Sequence, residues 1–192
     1  MMRANAPAVI NERPLRRRAP LDSNASCQTQ CPEDSAASLL CAMKKSDRIR
    51  ELVQQLAPAS DPALDPRYTG FFACFNIQEY YEAHDVLEDL WLQEKGENHA
   101  YYKGLIQLAG AFVHLQKQAR RPDHPKDGRR LRPAVRLFHL AIRNLTDFQP
   151  AHLRFDVARA IGLASEHAKA IEASDYTLNP WDPARAPRLE LQ

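Results

Sequence analysis

Length and composition predict a single globular domain with one hydrophobic core. The 192 residues are 44% hydrophobic and 26% charged, and the formal net charge of +2 points to no particular partner. No apolar run in the sequence approaches the roughly 18 residues of a membrane span, so a soluble protein is expected. The four cysteines contain no C-x-x-C pair, which disfavours a zinc site and favours a reduced, cytoplasmic compartment.

The composition of the chain changes near residue 42. Residues 1–42 are rich in Ala, Pro, Ser, Arg and Asn and have no sustained periodicity, so we predict a disordered N-terminal tail. Because Met43 is followed by two lysines and then by a helical pattern, an over-called start is an alternative explanation for this segment. Residues 43–192 are expected to form one all-helical domain, in which residues 175–192 are an extended C-terminal segment.

Helical periodicity dominates this domain and no strand pattern persists, so the expected fold class is all-α. A first helix is expected after an N-cap at Ser46 or Asp47, and the apolar segment 68–76 is expected to be a short helix or a turn. The apolar face of the first helix comprises Ile49, Leu52, Val53 and Leu56.

Four longer helices are expected to follow. Asn76 and Glu79 are predicted to form a capping box for the first of them, which ends before Gly96. Pro133 is expected in the first turn of the third helix, and Asp156 is expected to cap the fourth. The first of these helices is predicted from the cap at Asn76 to about residue 95, and the other three are predicted at about 98–118, 131–145 and 156–173.

The first of these helices contains the stretch Tyr80–Trp91, which carries five ionisable side chains among apolar and aromatic ones. His84 and Glu88, four residues apart, lie on the flank of its apolar arc, beside Tyr81 and Trp91. A carboxylate beside an imidazole raises its basicity and orients its tautomer, so this flank is where we expect a site. An acidic ridge lies on another side of the helix and comprises Glu82, Asp85 and Asp89.

The next predicted helix has a polar stripe opposite its apolar face. This stripe either faces water or forms a polar seam with another helix, because the small residues Gly110 and Ala111 permit a close approach. Periodicity alone does not decide between the two. If Gln107 and His114 turn toward His84, a small polar pocket results. The full stripe comprises Lys103, Gln107, Gly110, Ala111, His114 and Gln118.

Two sequence motifs resemble a known family. FFACFNIQEYYEAHDVLEDLW followed by YYKGLIQLAGAFVHLQK looks like the bacterial and archaeal domain of unknown function 309, over about residues 66–150, and the terminal NPWDPARAP resembles a longer subgroup of it. The resemblance implies a compact helical bundle with a central helix surrounded by about four others. It implies no activity, and Asp85 and Asp89 stand where Glu is common. The characteristic positions that it matches are Glu82, His84, Glu88, Trp91, Gln107 and His114.

These positions leave several interpretations open. A pocket for a small polar ligand or for catalysis competes with a buried network that only fixes how two helices pair, and the sequence identifies no cofactor. No metal ligand is assigned, because neither H-E-x-x-H nor paired E-x-x-H occurs and because Glu82 and His84 point about 160° apart. An interaction module, compatible with a homo-oligomer, would expose apolar groups near Trp181 or near Phe71 and Phe72.

The sequence contains two further charged features. The acidic ridge is expected to face solvent or to pair with Arg132, Arg136 or Arg143. The second feature is a basic segment between residues 117 and 136, which contains few acidic residues and is suited to binding phosphate groups. No nucleic-acid motif accompanies it, so a solvated loop is favoured over nucleic-acid binding. A metal-dependent hydrolase is likewise a weaker alternative to a ligand pocket. The segment contains Lys117, Arg120, Arg121, Lys126, Arg129, Arg130, Arg132 and Arg136.

Overall fold

The computed structural model describes residues 45–56 and 63–192. Within these residues six α-helices pack into a bundle, which confirms the predicted all-α fold class. The predicted tail, residues 1–42, lies outside the described residues, as do the side chains of Leu52 and Leu56. The helices are α1 (Lys45–Leu56), α2 (Pro66–Asn76), α3 (Tyr80–Gln93), α4 (His99–Arg120), α5 (Leu131–Leu145) and α6 (Val157–Ala173).

From α2 to α6, each helix packs against the next one along the chain, and α1 rests on α2 and α3. The long helix α4 therefore lies between α3 and α5. The buried ring of Phe112 in α4 makes edge contacts with Phe75 of α2, Phe138 of α5 and His167 of α6, with ring centroids 5.1 to 5.5 Å apart. The apolar repeats of the separate helices thus form one continuous core.

Several helix limits agree with the predicted ones. Pro133 lies in the first turn of α5, and Asp156 caps α6 by accepting a hydrogen bond from the Arg159 N–H at 2.8 Å. The first helix differs, because α1 already includes Lys45 and the predicted N-cap at Ser46 or Asp47 therefore lies inside it.

The predicted capping box of Asn76 and Glu79 is wrong. Glu79 precedes α3 without making a side-chain cap, and the amide of Asn76 is engaged elsewhere. Its Nδ2 donates to the Leu189 carbonyl at 2.7 Å, and its Oδ1 accepts from the Leu189 N–H at 2.8 Å. The amide therefore binds the end of the chain like a strand partner instead of capping a helix. Helix α3 ends at Gln93, slightly earlier than expected.

After α6 the chain returns across the bundle. Trp181 is half-buried and donates from Nε1 to the Tyr80 hydroxyl at 3.2 Å. Asn179 donates from Nδ2 to the Leu115 carbonyl at 2.8 Å. These contacts hold the C-terminal residues against the start of α3 and the second half of α4.

A two-residue β-hairpin connects α5 to α6, and no strand was expected here. Its strands are β1 (Ala151–His152) and β2 (Phe155–Asp156), paired antiparallel. Leu153 and Arg154 form the turn with φ of 44° and 63°, the conformation of a type I′ turn, whose twist matches that of the strands. The hairpin follows a cis peptide bond between Gln149 and Pro150.

The hairpin supplies carbonyl groups to a buried pair of tyrosines. The hydroxyls of Tyr68 and Tyr101 lie 2.7 Å apart. Tyr68 donates to the Leu153 carbonyl at 3.1 Å, and Tyr101 lies 3.4 Å from the His152 carbonyl. His152 Nε2 is in turn 2.7 Å from Asn98 Oδ1. We refer to Tyr68, Tyr101, His152 and Asn98 as the tyrosine cluster.

Candidate polar site between three helices

Three side chains of α3 bring metal- or ligand-binding atoms together. His84, Asp85 and Glu88 each offer one such atom, and these atoms lie within 4.8 Å of one another. His84 Nδ1 is 3.4 Å from Asp85 Oδ1. Asp85 is only 5% exposed, whereas His84 and Glu88 are half-buried. Helical geometry places the three residues within an arc of about 100°, so one imidazole and two carboxylates share this face.

Gly110 of α4 lies beneath this face. A Cβ atom at Gly110 would be 3.9 Å from His84 Cδ2 and 3.2 Å from Leu137 Cδ1 of α5. Side chains from α3 and from α5 therefore both reach over α4 at the glycine. This is the close approach that the seam alternative, one of the two left open for this stripe, requires.

Helix α5 lies along other parts of the same stripe. Asn144 donates from Nδ2 to Gln107 Oε1 at 2.7 Å, and the Arg130 N–H donates to Gln118 Oε1 at 3.1 Å. The stripe therefore pairs with another helix and does not simply face water. Because the amide oxygen of Gln107 is engaged by α5, this residue contributes to helix pairing. We call His84, Asp85, Glu88, Gln107, Gly110 and His114 the polar seam.

Two buried nitrogen atoms, one in the polar seam and one beside it, have no hydrogen-bond partner among the described residues. They are Nδ1 of His114, one turn beyond Gly110, and Nε1 of Trp91, one turn beyond Glu88. The Trp91 ring packs on His99 with ring centroids 4.9 Å apart. Buried polar atoms are nearly always paired in folded proteins, so two buried nitrogen atoms without a partner in one region are unusual.

Burial lowers the pKa of His114, and the positive charges of Arg130 and Lys117 lower it further. The His114 imidazole is therefore neutral at pH 7. A neutral imidazole has one nitrogen that donates and one that accepts a hydrogen bond.

Glu82 faces a different neighbour. Burial raises the pKa of the Cys74 thiol to about 12, and the negative charges of Glu82 and Glu79 act in the same direction. Glu82 therefore lies toward α2, away from His84, as the expected angle between them requires. At neutral pH the Cys74 thiol is protonated, which makes it a poor nucleophile.

Asp89, the last residue of the acidic ridge, forms a salt bridge that was not predicted. Its Oδ2 accepts from Arg67 Nη1 of α2 at 2.8 Å, and the same guanidinium binds Asp65 at 2.8 Å. Asp89 thus pairs with α2. One of the two alternatives offered for the acidic ridge, pairing with an arginine of α5, is therefore wrong for this residue. The α5 residue Arg132 stacks instead over the Tyr176 ring at 4.0 Å.

The basic segment is partly neutralised by its own acids. Arg130 Nη2 lies 2.7 Å from Asp127 Oδ1, and Arg121 lies 3.5 Å from the same carboxylate. The hydrogen bond from Arg130 holds the pKa of Asp127 below its ordinary value. The nearest aromatic residue of α5, Phe138, is fully buried, so it offers no surface on which bases could stack.

Of the two places where an interaction module would expose apolar groups, the one at Phe71 and Phe72 is buried, whereas Leu178, three residues before Trp181, is 56% exposed. Phe71 and Phe72 are 0% and 4% exposed, because both rings pack in the aromatic core, and Trp181 packs against Tyr80. The large apolar side chains most exposed among the described residues are Ile77, Tyr81, Leu92 and Leu178.

Asp85 is the member of the seam that sequence reasoning did not place there. Its angular position on the helix assigned it to the acidic ridge, since 100° separates it from His84. The pattern H-D-x-x-E, at positions i, i+1 and i+4 of one helix, would have identified it. A carboxylate and an imidazole that are adjacent in sequence both reach the same point because the two side chains are long enough to converge.

The fold and the site together define a helical bundle with a polar seam between α3, α4 and α5. Residues 68–122 match the family model described as Domain of unknown function (DUF309), which confirms the resemblance over that range. All six positions implied by the resemblance lie inside the matched range. Comparisons with curated proteins and with solved structures found no match. Within residues 45–56 and 63–192, no helix combines the length and the apolar character needed to cross a membrane.

Proposed function

We propose that the polar seam binds a small polar ligand. The observation that supports this is the convergence of His84, Asp85 and Glu88, whose ligand atoms lie within 4.8 Å of one another, where the His84 side chain approaches α4 at Gly110. A pocket usually brings a few polar groups together on rigid elements, and here one helix, α3, carries all three.

The chemistry of the seam restricts the ligand. The carboxylates of Asp85 and Glu88 accept hydrogen bonds, and the neutral imidazole of His114 both accepts and donates them. The negative charge of Asp85 and Glu88 favours a ligand that carries a positive charge or several N–H or O–H groups. Small amines are therefore suitable first probes.

The test is thermal unfolding of chelator-treated protein with ethanolamine or putrescine, and with glycerol as an uncharged comparison. A ligand that binds only the folded state at 100 times its Kd adds about 2.7 kcal/mol of stability. We expect an amine to raise the Tm of the wild type and of Glu82→Gln, the matched control on the same helix. His84→Ala and Glu88→Gln should lose the effect.

Two results count against the proposal. Either no amine and no metal ion stabilises the wild type, or the stabilisation persists unchanged in His84→Ala. A seam that binds nothing would leave the alternative function, a structural or protein-interaction module. The bond between Gln107 and Asn144 favours that alternative, because it pairs α4 with α5 and needs no ligand.

A further inference from the structure

We infer that the seam binds a divalent transition-metal ion through His84, Asp85 and Glu88. The inference rests on the proposed function, because it names the ligand of the same seam. The sequence assigned no metal ligands, because H-E-x-x-H and paired E-x-x-H are absent and because Glu82 and His84 point about 160° apart. The set brought together here has a different spacing and excludes Glu82.

The distances suit a common ion. Donor atoms of His and carboxylate lie about 2.0 to 2.2 Å from a zinc-like ion, so two donors in a tetrahedral site are about 3.4 Å apart. His84 Nδ1 and Asp85 Oδ1 are 3.4 Å apart. The remaining separations, up to 4.8 Å, are closed by a small movement of Glu88, which has the longest carboxylate side chain of the set.

The donor types select the class of metal. An imidazole nitrogen suits zinc, iron, cobalt, nickel and copper, whereas calcium and magnesium prefer sites made of oxygen atoms alone. The two carboxylates of Asp85 and Glu88 balance the charge of a divalent ion. Asp85 is only 5% exposed, and low solvent exposure strengthens its attraction to a cation.

The number of protein ligands has a functional consequence. Three side chains leave at least one coordination position for water or for a small ligand, as in catalytic rather than structural zinc sites. A metal in the seam would therefore be accessible to a second, exchangeable molecule. Another contact between a histidine and a carboxylate joins α5 and α6. There His139 lies 2.8 Å from Glu172, but this pair supplies only two ligands and is exposed.

The experiment is titration of tag-free, chelator-treated protein with Co²⁺ and Zn²⁺, followed by calorimetry and by the visible absorption of bound Co²⁺. We expect one ion per chain, and at least a tenfold weaker response to Mg²⁺ and Ca²⁺. His84→Ala and Glu88→Gln should each weaken binding at least tenfold. Glu82→Gln and His139→Ala, the matched controls, should bind as the wild type does.

The affinity for metal should also fall as the pH is lowered, because protons compete with the ion for imidazole and carboxylate groups. Circular dichroism of each variant separates loss of ligands from loss of fold, and Glu88→Gln serves this purpose best because glutamine keeps the shape of the side chain.

The outcomes separate this inference from the proposed function. No metal binding, or metal binding that survives His84→Ala, overturns the inference. If the metal-free protein still binds a small amine through His84, the proposed function stands without it. If neither metal nor amine binds, both fail.

Discussion

The tyrosine cluster and the polar seam are both groups of polar side chains between helices, but they differ in completeness. In the tyrosine cluster, the hydroxyls of Tyr68 and Tyr101 bond each other and lie near backbone carbonyls of the hairpin. Along the seam, the buried Nδ1 of His114 and Nε1 of Trp91 have no partner among the described residues. A closed network stabilises a fold, whereas an open one costs stability unless a further molecule completes it.

The two regions also differ in charge. Burial raises the pKa of Tyr68 and of Tyr101 and lowers the pKa of His152, so the cluster is uncharged at neutral pH. The seam contains the carboxylates of Asp85 and Glu88, and it also contains His114, which a lowered pKa keeps neutral at pH 7. The two carboxylates therefore give the seam, and not the tyrosine cluster, an attraction for a cation.

The largest expected effect lies in the tyrosine cluster. Tyr101→Phe removes one hydroxyl and leaves that of Tyr68 with the Leu153 carbonyl alone. We expect the free energy of unfolding to fall by about 1–3 kcal/mol, as when a buried hydrogen-bonding group loses its partner. Urea unfolding measures this change.

The matched control is Tyr68→Phe together with the double variant. Because the two hydroxyls lie 2.7 Å apart, the effects of the two changes should not add, and the double variant should lose less than the sum. Additive losses would contradict the idea that the cluster acts as one closed network, and would weaken its contrast with the seam.

A smaller effect is expected at the edge of the seam, from His114→Phe. The change removes a buried nitrogen without a partner and keeps an aromatic ring. We expect the free energy of unfolding at pH 7.5 to stay the same or to rise by up to about 1 kcal/mol.

The same variant should change the dependence of stability on pH. The pKa of His114 is lowered in the folded state, so below about pH 6.5 the unfolded chain binds more protons, and stability falls as the pH is lowered. Burial also lowers the pKa of His167, which contributes in the same direction. Between pH 7.5 and 5.5, His114→Phe should lose less stability than the wild type, and equal losses would contradict the assignment.

Features set by neighbouring residues were predictable from the sequence. The cap of α6 by Asp156 and the position of Pro133 depend on residues within one turn, and both were predicted. The close approach at Gly110 was only one of two alternatives, because a missing side chain permits another helix to approach but does not require it. The direction from which other helices arrive was not encoded in that pattern.

Features that depend on distant residues were missed. The amide of Asn76 binds Leu189, which is 113 positions away, and no local motif contains that partner. The salt bridge of Asp89 with Arg67 spans 22 positions and depends on how α2 packs on α3. The grouping of Asp85 with His84 and Glu88 depends on side-chain directions, which a helical wheel of Cα positions does not represent.

The smallest effect is expected for Glu88→Gln in the metal-free protein. Glutamine keeps the shape of the side chain and removes one of the two negative charges near Asp85. If the seam is kept for a ligand, its charge is maintained at some cost to the fold, so stability should be unchanged within about 0.5 kcal/mol or should rise slightly. A fall of about 1–3 kcal/mol in urea unfolding would instead place Glu88 in a satisfied structural network like the tyrosine cluster. That result would remove the contrast between the two regions, because both would then serve the architecture of the bundle.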